Sequence, residues 1–225
     1  GSVNDTAGFS IISYNGTGSN GSIKHGLSTA PRMMIFKNRD EGAEGWFVYH
    51  ESVGNTKRAG LLDETSVPST SSTFFQDTSP TSSIITLGSN HGCNGPDAMI
   101  CYAFAEKKGY SKFGSYTGND NTDGTFVYTG FKPAWVMVKR TDATNYWFIL
   151  DNKRTQSSGG NPIDQELYAN AADAENNQLR FDFCANGFKN RAASAGTNGS
   201  GASYIYMAFA ENPFVSSTGV PATAR

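Results

Sequence analysis

The sequence predicts an all-β protein made of two tandem β-sandwich, jelly-roll-like repeats that pack closely, and three observations predict it. Landmarks of the first half recur in the second in the same order. Each landmark alternates or runs apolar over the length of a strand. The stretches between them are clusters of Gly, Asn, Ser and Pro, which punctuate strands.

The duplication sets the period of the whole fold. Ser13-Tyr14-Asn15-Gly16 returns as Ser115-Tyr116-Thr117-Gly118, 102 residues on. Pro31-Arg32-Met33-Met34-Ile35-Phe36-Lys37 matches Pro133-Ala134-Trp135-Val136-Met137-Val138-Lys139 at the same offset, and Trp46-Phe47-Val48 matches Trp147-Phe148-Ile149. Each copy closes on Ala-Phe-Ala-Glu, ending at Glu106 and at Glu211. The polar runs at 16–21 and 118–124 follow the first strand of each copy and read as hairpin tips, where positive φ favours Gly and Asn. Pro162 to Ala174 is the one helix candidate, with Ile163, Leu167 and Ala171 at four-residue steps; a short strand or an irregular stretch fits its asparagines equally. Lys107-Lys108-Gly109 is too short for a linker and reads as a turn. The expected organisation is a first repeat at 8–107, a second at 108–214 and a C-terminal tail at 215–225.

Composition excludes several classes. With 37% hydrophobic residues, the 225-residue chain can build real cores. Lys+Arg 18 against Asp+Glu 20 gives a net charge of −2 with no basic cluster, which argues against nucleic acid. No apolar run reaches the length of a membrane span, so no membrane insertion is expected. Gly1-Ser2 reads as a cloning remnant, with natural chain upstream. Cys93, Cys101 and Cys184 are odd in number and lack CxxC spacing, so free thiols formed in a reducing cytoplasm are expected.

Tyr110 to Asn119, Asp123 to Ala134, His25-Gly26-Leu27 and Tyr206 to Phe214 resemble the repeated C-terminal region of tail-fibre-like structural proteins of marine bacteriophages. The resemblance covers about Gly8 to Arg225 and carries no catalytic residues. It implies a virion location on a tail fibre, synthesis in the bacterial host cytoplasm, a host-facing role and a homotrimer. Pro221 to Arg225 looks like the natural end of such fibres, which would make this the distal tip.

Recognition resides on exposed loops carried by rigid sheets. The segment 88–97 is the first candidate loop, and its Asn90, His91, Asn94 and Asp97 could hydrogen-bond sugar hydroxyls. Asn119, Asp120, Asn121 and Asp123 are the second candidate set. Their x-N-x-D-G rhythm is that of a calcium loop, but position 130, where a bidentate Glu belongs, is Gly, so no metal is assigned and a polar hairpin tip is preferred. Residues 155–164 also differ between copies. Glu106 and Glu211 are the obvious carboxylate pair for a glycosidase, yet equivalent positions share an environment, which works against one acid and one base. His25, His50 and His91 show no common metal spacing, and no nucleophile elbow is present. No cofactor and no enzymatic activity are expected. Trp46 and Trp147 are assigned to packing, and Lys37, Arg39, Lys139 and Arg140 to solvated strand ends or a basic rim. The expected function is host-surface adhesion through carbohydrate, the partner being a bacterial surface glycan or receptor. A purely structural virion role and a polysaccharide depolymerase are the alternatives.

Overall fold

The structure, a computed structural model, describes residues 1–155 and 160–213. The expected tail at 215–225 and residues 156–159 of the 155–164 loop lie outside the described residues. The described chain is all-β, and it divides into two compact units between Glu106 and Lys107.

The first unit runs through β1 (Ser2–Asn4), β2 (Phe9–Asn15), β3 (Gly21–Lys24), β4 (Met33–Asn38), β5 (Phe47–His50), β6 (Lys57–Arg58), β7 (Gly60–Leu61), β8 (Ser69–Thr70), α1 (Ser72–Phe75), β9 (Ile84–Leu87), α2 (His91–Asn94) and β10 (Ala98–Phe104). One antiparallel sheet has the order β1-β2-β10-β4-β5-β7, and β3–β9 and β6–β8 are separate pairs. Val3 pairs with Ser10, so residues ahead of the expected start at 8 add an edge strand. The two single-turn helices begin at capping side chains: Ser71 accepts from Thr73 N, and Asn90 accepts from Gly92 N. Helix α1 carries Phe74 and Phe75 into the core, where their rings meet Phe47 at 4.9 Å and Tyr49 at 5.1 Å.

The second unit contains β11 (Ser111–Thr117), β12 (Phe126–Tyr128), β13 (Pro133–Arg140), β14 (Trp147–Asp151), β15 (Ile163–Tyr168), β16 (Asn176–Cys184), β17 (Gly187–Asn190) and β18 (Ser203–Ala210). They form one sheet in the order β11-β18-β13-β14-β15-β16-β17-β12. The sheet curls into a nearly closed barrel, bringing Tyr116 of β11 within 5.9 Å of Phe188 of β17. Val136, Val138, Phe148, Phe181, Phe183 and Tyr206 fill the interior. The helical reading of 162–174 gives way to strand β15, because β14 and β16 flank it and pair with its backbone on both sides. In the first unit the corresponding stretch is rich in Ser and Thr with Pro68 and Pro80, which interrupt pairing and leave β6–β8 and β3–β9 as fragments.

The recurring motifs correspond to recurring bonds. Tyr14 Oη donates to Cys93 O, and Tyr116 Oη donates to Thr197 O. A Cβ on Gly16 would lie 1.9 Å from Gly95 O, and one on Gly118 would lie 2.3 Å from Gly199 O, so only glycine admits this approach. Asn94 Oδ1 accepts from Thr17 N, while its amide donates to Ser19 O and Gly88 O at 2.7 Å. Asn198 repeats the pattern: Oδ1 accepts from Asn119 N, and the amide donates to Asn119 Oδ1, Asn121 O and Ala192 O. Each unit therefore locks its first polar loop to the segment just before its last strand; neither loop is the expected hairpin tip, because β2 and β3 lie in different sheets and β11 and β12 stand at opposite ends of one sheet order. Asn198→Ala is expected to lower stability by ~3 kcal/mol in urea unfolding, because the fully buried amide loses all of its bonds across the loop at once. Asn198→Asp should be no milder, since a carboxylate cannot donate to Asn121 O and Ala192 O.

Candidate ligand-binding surface

The locks decide what the candidate loops can present. Asn94 is 3% exposed and wholly engaged inside the first unit. Asn90 caps α2, and Asp97 accepts from Asn38 Nδ2 at 2.9 Å. His91 alone of this set is exposed. In the second unit, Asn119 Oδ1 accepts from Asn121 N and Asn121 Oδ1 accepts from Asp123 N, a chain of turns that rigidifies the tip. Asp120 sits at φ 53°, a left-handed conformation that Asn and Asp tolerate. Asp123 pairs with Lys189 Nζ at 2.5 Å, and that contact holds its carboxyl below the usual carboxylate range.

Beside this tip lies a feature that the sequence reading missed. On β12, Val127 points into the core at 5% exposure, so Phe126 and Tyr128 face outward at 44% and 64%. Phe126 is in register with Lys189 and Tyr128 with Gly187 of β17, and β12 ends the sheet order. The result is two exposed rings at alternate strand positions, about 7 Å apart, bordered by the Asp123–Lys189 pair. Three consecutive apolar residues hide which of them faces out. Comparison of the copies carries the signal: Ile23 pairs with Ile85 as Val127 pairs with Phe188, so Ser22 and Lys24 stand in the first unit where Phe126 and Tyr128 stand in the second.

Other assignments change at the paired positions. Trp147 is buried at 2%, as a packing residue should be, but Trp46 is 36% exposed and stacks on Tyr102 at 6.4 Å. Lys139 is fully buried, not a solvated strand end: it lies in register between Ile205 and Trp147, and its Nζ donates to Asn145 O at 2.9 Å. Glu211 bonds Lys132 Nζ at 2.9 Å and Asn152 Nδ2 at 2.7 Å. Glu106 instead borders a half-open pocket of about 370 Å³ in the first unit, shared with Arg32, Tyr49, Glu51 and Ser79. Arg32 is ion-paired with Glu51, and burial pushes the Tyr49 phenol up to about 12. His25 and His50 are buried at 1% and engaged inside the unit: His25 Nε2 bonds Thr81 O, and His50 Nδ1 accepts from Ser52 N.

An all-β chain of two units with unlike surfaces is the class these observations define. The chain belongs to the family described as a domain of unknown function, DUF7483, which matches residues 1–213. No curated protein and no solved structure matches it significantly. No helix among the described residues is long and apolar enough to cross a membrane.

Burial lowers the Lys139 pKa from 10.5 to about 8. Between those values the unfolded chain holds a proton that the folded chain lacks, so this residue's contribution to stability rises with pH across that window. Buried Cys93, pushed up to about 12, acts in the opposite direction above its ordinary range. Subtracting the pH–stability profile of Lys139→Met from that of the parent isolates the lysine. The difference should rise by ~3 kcal/mol between about pH 8 and 10.5, and a flat difference contradicts the assignment.

Proposed function

We propose that the chain is a host-facing adhesion domain of a bacteriophage tail fibre that binds bacterial surface glycan. In this reading its two units are tandem sandwich-like modules, and the second supplies the binding face. The observation that carries it is the outward pair Phe126 and Tyr128 on a registered edge strand, beside the rigid polar tip 118–124. Aromatic faces stack on the apolar faces of sugar rings, and Asp123, Lys189 and the tip amides supply directional hydrogen bonds to hydroxyls. Stacking also explains why two large rings sit in water where the first unit has Ser22 and Lys24. The resemblance of the repeated motifs to tail-fibre-like phage proteins supports the virion setting. A trimeric fibre, several to a virion, would turn weak single sites into firm attachment. The role proposed is binding without chemistry.

The test is retention of the purified chain on phage-susceptible cells and on their isolated polysaccharide. Phe126→Ala and Tyr128→Ala should each weaken binding about tenfold, equivalent to ~1.4 kcal/mol. Because both rings are exposed, thermal stability should move little. Equal binding by the double variant would remove this face from the proposal. Absence of binding to every susceptible host would favour a purely structural virion role, and release of reducing ends would favour a depolymerase.

A further inference from the structure

Fifty residues apart in sequence, the loop after β4 and the first residue of α2 meet on the surface of the first unit. Glu41, Glu44 and His91 each bring one donor atom to this place, and the three atoms lie within 4.8 Å of one another. We propose that they form a binding site for a borderline divalent cation such as Zn²⁺, Co²⁺ or Ni²⁺.

The distances favour an ion over a direct bond. His91 Nδ1 stands 3.5 Å from Glu41 Oε2, beyond the usual range of a hydrogen bond to nitrogen. Two ligands at 2.0–2.1 Å on one tetrahedral zinc are about 3.3 Å apart, so this separation needs almost no adjustment. Glu44 makes no salt bridge among the described residues, so its carboxylate is available. The side chains of His91 and Glu41 are 53% and 41% exposed, which leaves them free to close on an ion by small rotations. Imidazole nitrogen with two carboxylates suits zinc-like metals and is a poor set for Ca²⁺ or Mg²⁺, which take oxygen alone.

The backbone beneath is fixed independently of any ion. Lys37 Nζ donates to Glu41 O and Glu44 O, Asn38 Oδ1 accepts from Asp40 N and Glu41 N, and Asp40 accepts from Ala98 N. Asn90 holds the turn that presents His91. Lys37 is thereby directed at carbonyl oxygens, and Arg58, the other nearby cation, lies over the Phe47 ring at 5.3 Å and feels the charge of Glu64, Glu44 and Asp63, without an ion pair to Glu44 among the described residues. The second unit keeps the supporting bond, Lys139 Nζ to Asn145 O, yet Ala143, Asn145 and Ala195 stand where Glu41, Glu44 and His91 stand in the first. A shared scaffold with ligand residues in one copy only distinguishes a site from a structural feature of the fold. Three protein ligands also leave a coordination position for water or for an oxygen of a bound molecule.

Isothermal titration of the full chain with Zn²⁺, in a Cys184→Ser background to remove the half-exposed thiol, tests the site. The expected result is one Zn²⁺ per chain. His91→Ala and the double variant Glu41→Gln/Glu44→Gln should each weaken it at least tenfold, while Ca²⁺ and Mg²⁺ should not compete. Ni²⁺ should quench Trp46, two residues from Glu44, in the parent and not in His91→Ala. Circular dichroism and melting of the metal-free variants should match the parent, because all three side chains are at the surface. No Zn²⁺ binding by the parent, or unchanged affinity and quenching in both variants, overturns the proposal.

Discussion

Each unit depends on one constraint, the lock between its first polar loop and the segment that precedes its last strand. A tyrosine hydroxyl, a glycine with no room for a Cβ, and a buried asparagine amide act together, across 79 residues in the first unit and 81 in the second for the tyrosine bond. Closing loops of that length costs conformational entropy before any contact is made. The lock recovers it cooperatively, because once the glycine lets the backbones touch, the asparagine can satisfy several buried polar groups at once. Asparagine suits this position because its short amide both accepts and donates. With the lock formed, β10 and β18 are held between their neighbours, β2 and β4 in one unit and β11 and β13 in the other.

On this shared frame the copies diverge where they meet solvent. The first unit breaks its sheet and plugs its core with α1, whereas the second completes eight strands. The second places Phe126 and Tyr128 outward, and the first places Glu41, Glu44 and His91 together. The interiors also carry charge differently. Glu166 is fully buried and bonded to Arg180, Tyr168 and Asn176, a set in which every lone pair matters and removal of one partner would strand a charge. Duplication supplied the frame, and surface substitution on it is where unlike binding properties can arise.

The strands carrying Pro-x-Met-x-Ile-x-Lys and Ala-Phe-Ala were legible because alternation and repetition point to one face each. The outcome at other positions turned on neighbours that sequence does not name. Asn94 sits in a Gly-rich polar loop, where a recognition residue and an internal clamp look alike, and only its partners at 17, 19 and 88 show it to be the clamp. Trp46 and Trp147 align in sequence but differ in burial. Lys139 read as solvated because lysine usually is, and its neighbours Ile205 and Trp147 enclose it. His91 showed no metal spacing because its companions lie some fifty residues upstream on a different loop.

Two equivalent frames carry unlike surfaces, and the proposed glycan face lies on the second unit at β12 and the loop 118–124. Amide chemical-shift mapping of the ¹⁵N-labelled chain, titrated with oligosaccharides from a susceptible host, addresses it most directly. Saturable shifts should be confined to 118–130 and 187–191, with the Ser22 to Lys24 region of the first unit unmoved. Shifts centred on the Arg32 pocket or on the first unit's loops, with 118–130 silent, would contradict it.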